Sequence, residues 1–199
     1  MATQSANLRK IIYAGLHSLQ GYLLAPKRVV DSYGDWYKYG YMNARLANLA
    51  IKALRQLKVP KSGSMLDIGA YDSKLVETLH LNGFRNSHGT DNNPDAPICG
   101  SRVFIKFDIL SPQEKAVFHV IHFRKILDHF RGGSFAERNS PSLDDLAKAL
   151  RRHLHPGGYL MFIDVAKNEE AFIKALRQNG FIQIEIDGTP YHIWQKKPG

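Results

Sequence analysis

The chain has 199 residues and an apolar fraction of 44%, which suits one globular domain with a buried core. No apolar run approaches the roughly 20 residues that a membrane-spanning helix needs, so the sequence predicts a soluble protein. Cys99 is the single cysteine. An internal disulfide and a cysteine-rich zinc site are therefore excluded, and a reducing compartment, the cytoplasm, is the expected location.

Most of the net charge of +9 lies in the N-terminal third of the chain. Residues 1–61 contain ten Lys and Arg against two acidic residues, and the remainder contains 17 against 16. The same third carries six of the nine tyrosines and Trp36. Basic residues interleaved with aromatic ones suit single-stranded nucleic acid or an anionic small molecule equally well. A further alternative is that they form solvated helix faces and packing contacts.

Two amphipathic helices are predicted at the start of the chain, over residues 8–24 and 43–57. No acidic residue precedes Asp31, so a targeting or membrane-surface role remains an alternative for the first of them. After the break at residues 60–63, strands and helices alternate, which is typical of a largely parallel sheet. The predicted strands span residues 64–68, 87–90, 103–107, 117–123, 159–165, 181–186 and 191–195; the predicted helices span 73–81, 143–154 and 169–179. The last two strands are expected to form an antiparallel hairpin.

The turn over residues 67–73 follows the first strand and is the expected ligand site, since ligands of open parallel sheets bind beyond the carboxyl ends of the strands. Gly69 permits close approach of the backbone, and the helix that follows offers free amide groups. Asp91 follows the second strand, where a Rossmann-like fold presents a carboxylate to ribose hydroxyls. Asp108 follows the third strand and is placed to meet an adenine amine.

At these residues the chain resembles the class I S-adenosylmethionine-dependent methyltransferases. The resemblance is carried by residues 65–70, 89–94, 107–108 and 154–160. It implies a three-layer α/β/α sandwich, with a mostly parallel seven-stranded sheet that ends in an antiparallel hairpin, plus N-terminal helices. Residues 61–199 would form the methyltransferase-like domain, and residues 1–60 a helical lid or substrate-binding segment.

By this resemblance, S-adenosylmethionine is the expected cofactor. Asp67 and Gly69 would face its methionine part, Asp91 its ribose, and Asp108 with Ile109 its adenine. The expected cofactor-binding set also includes Ala70, Tyr71 and Asn92. Tyr71 and Ser73 stand where the family has its second and third glycines. The Tyr71 side chain is therefore expected to push the turn outward, to cover the cofactor or to occupy its place, and the sequence does not choose among these.

The general-base candidates are His122 and His129, which lie at and after the end of the fourth predicted strand. The alternative for each is a purely structural histidine. Tyr33, Trp36, Tyr37 and Arg124 are the expected substrate-binding residues, and no metal site is expected. His153 and His155 precede a predicted surface turn and are interpreted as solvated.

The favoured function is methyl transfer to a small or medium-sized acceptor, with an anionic molecule as one option. The alternative is a catalytically inactive methyltransferase-like protein, in which Tyr71 blocks the cofactor and the basic aromatic N-terminal region binds nucleic acid or a protein partner. A third option keeps catalysis with RNA as the acceptor. The oligomeric state is left open.

Overall fold

The computed structural model describes residues 46–71, 74–94, 96–124, 126–133, 137, 139–164 and 167–198. The predicted helix over residues 8–24 and the predicted substrate-binding residues Tyr33, Trp36 and Tyr37 lie outside the described residues. The division of the chain at residue 60 remains a prediction.

One mixed sheet organises the described residues, in the order β2-β1-β3-β4-β6-β5. β1 pairs in parallel with β2 and β3, and β3 with β4, whereas β6 is antiparallel to both β4 and β5. The predicted hairpin ending is thereby confirmed, as is the α/β class. The strands are β1 (Met65–Ile68), β2 (Ser87–Thr90), β3 (Phe118–Arg124), β4 (Leu154–Ile163), β5 (Phe181–Ile184) and β6 (His192–Lys196).

The predicted count of seven strands is wrong for the described residues, which contain six. The segment over residues 103–107 forms only one parallel bridge to β2, between Phe104 and Gly89. Gly89 donates its N–H to the carbonyl of Val103 and accepts from the N–H of Ile105. By contrast, all four residues of β2 pair with β1 on its other side.

The helices cover both faces of the sheet. One face carries Leu66, Ile121 and Phe123, which belong to the main hydrophobic core with residues of α3 and α4. The other face carries Met65 and Val120, which line a small cavity together with residues of α1 and α2. This confirms the predicted three layers. The helices are α1 (residues 46–56), α2 (Lys74–Leu81), α3 (Leu143–His153) and α4 (Glu169–Gln178).

The interpretation of His153 as solvated is wrong, because this residue ends α3 and is 1% exposed. Its Nδ1 lies 2.8 Å from the carbonyl of Ala116, and its Nε2 accepts a hydrogen bond from the Nε of Arg152 at 3.2 Å. Its ring also packs edge-to-face on Phe107, with 5.1 Å between centroids. The strand β4 begins directly after it, so the helix end is drawn into the core. His155 is partly buried.

Candidate active site

The turn after β1 is held to the end of β2 by backbone hydrogen bonds. Gly69 and Ala70 both donate their N–H groups to the carbonyl of Thr90, at 2.9 and 3.0 Å. Gly69 has a φ of +68°, a left-handed conformation that glycine adopts without strain. A Cβ at this position would also lie 3.2 Å from Cγ2 of Ile126. The sequence therefore requires glycine here for two separate reasons.

Tyr71 continues this turn with a φ of +38°, a left-handed conformation that is strained for a tyrosine. Its side chain is 44% exposed. Its carbonyl accepts a hydrogen bond from Ile98 N at 2.9 Å, and its N–H is donated to Asp91 Oδ2 at 3.0 Å. The backbone thus takes the kind of conformation that a glycine would allow, while the ring points out of the core.

Asp91 joins the ends of β1 and β2 through its carboxylate. Oδ2 accepts from Tyr71, and Oδ1 accepts from the N–H of Asn93 at 2.9 Å. Each oxygen can accept more than one hydrogen bond, so the carboxylate is oriented by the protein and still has acceptor capacity for a ligand. Asn92 beside it is exposed.

The segment that carries Asp108 is fixed to the end of β2 by a side chain. Thr90 Oγ1 donates to the carbonyl of Phe107 at 3.0 Å. Asp108 is exposed, and its Oδ1 accepts the N–H of Leu110 at 3.0 Å. Ile109 is 7% exposed and belongs to the main core. Asp91 and Asp108 therefore lie at the same edge of the sheet, beyond neighbouring segments.

Asp67 and His122 form a buried pair directly opposite each other on β1 and β3. The distance from His122 Nδ1 to Asp67 Oδ1 is 2.6 Å, and the side chains of His122 and Asp67 are 7% and 6% exposed, respectively. Nε2 of His122 is buried without a hydrogen-bond partner in the described part of the chain. Both residues also line the cavity beneath α1 and α2.

A family model described as "Methyltransferase domain" matches residues 40–192 of the sequence. This match extends over most of the chain and includes the turn, Asp91, Asp108 and the Asp67–His122 pair.

The chain belongs to the methyltransferase domain family.

Solved methyltransferase structures share the fold at low sequence identity. An S-adenosylmethionine-dependent methyltransferase from Clostridium acetobutylicum ATCC 824 matches with a TM-score of 0.57 and 13% identity, over 77% of this chain and 91% of that chain. A ribosomal protein L11 methylase from Lactobacillus delbrueckii subsp. bulgaricus gives 0.54 and 17%, over 77% and 79%. An S-adenosylmethionine-dependent methyltransferase from Mesorhizobium loti gives 0.51 and 14%, over 72% and 96%. A search of curated proteins gave no match.

Two further buried residues, Tyr191 and Asp164, were not predicted from the sequence. Tyr191 lies next to the Asp67–His122 pair, and Asp164 lies at the end of β4. Tyr191 is 7% exposed and packs edge-to-face on the His122 ring, with 5.4 Å between centroids. Burial raises the pKa of the Tyr191 hydroxyl well above its ordinary value, and the nearby Arg124 partly opposes this. Asp164 follows β4 and is 5% exposed, and its Oδ2 accepts the N–H of Leu127 at 3.1 Å. A polar residue that directly follows a buried apolar run was the available signal for Asp164.

The remaining predicted residues of the methyltransferase site are less buried. His129 ends a short 3-10 turn (Leu127–His129) and is exposed, whereas Arg124 ends β3 and is partly buried. The structure therefore places His122 and His129 in very different environments.

In the described ranges, no three His, Cys, Asp or Glu side chains form a group that could hold a metal ion. No described helix is long and apolar enough to cross a membrane.

Proposed function

We propose that this chain transfers a methyl group from S-adenosylmethionine to a small or medium-sized acceptor. The observation that carries the proposal is the Asp91 carboxylate, which is aimed by two backbone N–H groups at the edge where the turn after β1 meets β2. Membership of the methyltransferase family supports the reaction type. The acceptor and the cytoplasmic location remain predictions.

The described residues fit this cofactor. Gly69 lacks a Cβ and adopts a positive φ without strain, so the backbone of the turn can approach a ligand closely at this position. Asp91 would accept the ribose hydroxyl protons, and Asp108 would meet the adenine amine from the neighbouring segment. Asp67 is committed to His122, which leaves it a weaker candidate for the methionine part. When bound, the cofactor supplies an activated methyl group on a positively charged sulfur.

The contribution of the protein is mainly alignment, since a sulfonium methyl needs little further activation. His122 is buried and held by Asp67, so its role as a base requires the acceptor or an intervening group to reach Nε2. Arg124 at the end of β3 is the described residue best suited to an anionic acceptor. We keep residues 1–60, with Tyr33, Trp36 and Tyr37, as the proposed lid and acceptor-binding segment.

Isothermal titration of the full chain with S-adenosylmethionine tests the proposal. We expect Asp91→Ala to weaken binding by about tenfold to a hundredfold, because charge-assisted hydrogen bonds to two hydroxyls are lost. Asp187→Ala is the matched control, since Asp187 is an exposed carboxylate after β5. Equal affinities of the two variants, or a wild-type chain that does not bind, would refute the proposal.

Tyr71→Gly separates this proposal from the inactive alternative. The exposed ring of Tyr71 gives no support to a blocked site, so we expect the variant to bind S-adenosylmethionine within a few fold of the wild type. If Tyr71 blocks the site, the variant binds and the wild type does not. Tyr71→Phe is the control, because it retains the aromatic ring.

A further inference from the structure

Charge is distributed unequally between the two edges of the sheet. Asp91 follows β2, Asp108 follows the segment that is bridged at Phe104, and Asp164 follows β4. These three residues therefore lie at the carboxyl edge, where the parallel strands end and where the proposed methyl transfer occurs. The segments that lead into β1, β2 and β3 place basic residues at the opposite, amino edge. Because β6 is antiparallel to β4, its end also lies at the amino edge.

We define the basic ridge as five exposed side chains at this amino edge: Lys58, Lys61, Arg85, Lys115 and Lys197. None of them forms an ion pair within the part of the chain that the structure describes. Glu114 is the one acidic residue in the described segments 57–64, 82–86 and 111–117. Among the described residues, the ridge therefore carries an excess of positive charge, with Glu114 as its one acidic neighbour in these segments.

Contacts between the entering segments hold the ridge together. The Lys61 side chain lies beside Gly83, where a Cβ would be 3.1 Å from its Cδ. Ser64 Oγ donates to the carbonyl of Val117 at 3.2 Å. These contacts link the segments before β1, β2 and β3, which are neighbours in the sheet. Neighbouring strands are about 4.8 Å apart, so the ridge from β2 to β6 extends over roughly 19 Å.

Two histidine rings lie along the same edge. The rings of His119 and His155 are 4.5 Å apart between centroids, and both side chains are partly exposed. His119 is fixed by Ser64, whose N and Oγ lie 3.1 Å from its Nδ1. Basic side chains with interleaved aromatic rings provide phosphate contacts and stacking surfaces for nucleic-acid bases.

We propose that the basic ridge binds the phosphate backbone of a single-stranded nucleic acid, on the edge of the sheet opposite the methyl-transfer site. The described exposed apolar side chains near this edge, Leu81, Val117 and Ile182, belong to three different segments: α2, the segment before β3, and β5. They do not form the continuous apolar helix face that insertion into a membrane surface uses. The ridge therefore favours a nucleic acid over a lipid surface.

Fluorescence anisotropy with a labelled single-stranded RNA tests the proposal, using the full chain at several salt concentrations. The ridge variant carries Lys61→Gln, Arg85→Gln and Lys115→Gln. Its affinity should fall at least tenfold near 0.1 M salt, and its log–log salt slope should decrease by about 2, since each lost phosphate contact on a single strand removes about 0.7. The matched control carries Lys106→Gln, Lys167→Gln and Lys174→Gln, all exposed and outside the ridge, and should retain the wild-type slope.

A third variant, His155→Ala, tests the stacking contribution. It should weaken RNA binding without changing the salt slope, because stacking releases no counterions. Equal losses in the ridge and control variants would overturn the proposal, as would ridge-dependent flotation with phosphatidylserine vesicles in the absence of RNA binding. S-adenosylmethionine titration should be unchanged in the ridge variant, so failure of this proposal is distinguishable from failure of the proposed methyl transfer.

Discussion

Asp67 and His122 lie 55 positions apart in the sequence, yet they form a buried side-chain hydrogen bond. The family resemblance implied that Asp67 contacts the cofactor, and the position of His122 made it a general-base candidate or, alternatively, a structural histidine. The structure brings the two together and leaves one ring nitrogen for a further partner. Burial of both side chains favours a strong structural contribution alongside any chemical one.

We therefore predict that His122→Leu lowers the free energy of unfolding by roughly 3 kcal/mol, because removal of one member leaves the Asp67 carboxylate buried and unpaired. His129→Leu, at the exposed histidine, should cost much less. Urea denaturation of both variants measures the difference. Similar losses in the two variants would contradict the assignment of a buried pair.

His153 is a second buried histidine, and its contacts define a neutral ring. Nδ1 carries the proton that is donated to Ala116, and Nε2 accepts from Arg152. Burial lowers the pKa of His153 below its ordinary value, and Arg152 adds to this against the opposing contact with Ala116. Protonation would place an N–H on Nε2 facing the donor group of Arg152.

The pH dependence of stability follows from this shift. In the unfolded chain His153 takes up a proton near pH 6.5, whereas in the folded chain it does so only at lower pH. The contribution of neutral His153 to the free energy of unfolding is therefore complete above pH 6.5. It is lost as the pH falls from 6.5 through the pKa of His153 in the folded chain. His88 and His119 have lowered pKa values as well and act in the same direction.

We expect the free energy of unfolding to decrease between pH 6.5 and lower values, and His153→Asn to show a shallower decrease than the wild type. The asparagine cannot titrate, and its amide retains a donor for Ala116. Urea denaturation across this pH range provides the measurement. An unchanged slope in the variant would show that His153 does not contribute.

At the scale of elements, the end of α1 is unusual because Lys58 has a φ of +55°. Lys58 N bonds to the carbonyl of Arg55 at 3.1 Å, and Val59 N bonds to that of Leu54 at 3.0 Å. This is the Schellman arrangement, in which glycine is the usual residue at the left-handed position. The sequence signal for the helix end was Pro60, two residues later.

Lys58→Gly should raise the free energy of unfolding by about 0.5–1 kcal/mol, since glycine removes the left-handed strain at some cost in chain entropy. Lys61→Gly is the control, because Lys61 has no positive φ, and it should leave stability unchanged or lower it. Thermal or urea denaturation compares the two. A destabilised Lys58→Gly chain would show that contacts of the lysine side chain outweigh the strain.

The segment over residues 103–107 lies where the sequence predicts a strand, but it pairs with β2 through one bridge only, at Phe104. The apolar pattern over residues 103–107 predicted a strand, and this segment does run beside β2. Val103 and Phe107 are buried, which accounts for the pattern. The apolar pattern reports burial, however, and does not specify how far backbone pairing with β2 extends, which is one bridge.

At the scale of the whole molecule, Gly89 permits the turn after β1 and the segment after β2 to pack against the sheet. A Cβ at this position would lie 2.3 Å from Cδ1 of Ile98 and 2.8 Å from Cβ of Ala70. This glycine begins the motif over residues 89–94, which carries part of the family resemblance. The structure supplies the reason, which is close packing beneath the proposed cofactor edge.

Gly89→Ala should lower the free energy of unfolding by about 1–3 kcal/mol through overpacking. Ile98→Val removes the nearest atom, so Gly89→Ala should cost less in that background, with a measurable coupling between the two sites. The contact with Ala70 persists, and the rescue should be incomplete. Strict additivity in a double-mutant cycle would contradict the packing argument.

The sequence by itself determined the α/β class, the order of strands and helices along the chain, the hairpin ending and the position of the turn from Asp67 onward. These features follow from periodicity, breaker residues and local spacing, which act over a few residues. Only the tertiary structure decided that Asp67 pairs with His122, that Tyr191 packs on that histidine, and that His153 is buried. It also decided that the basic ridge forms at the amino edge, opposite the carboxyl edge that holds Asp91 and Asp108. Each of these depends on which strands become neighbours, and strand order is set by the packing of the whole sheet.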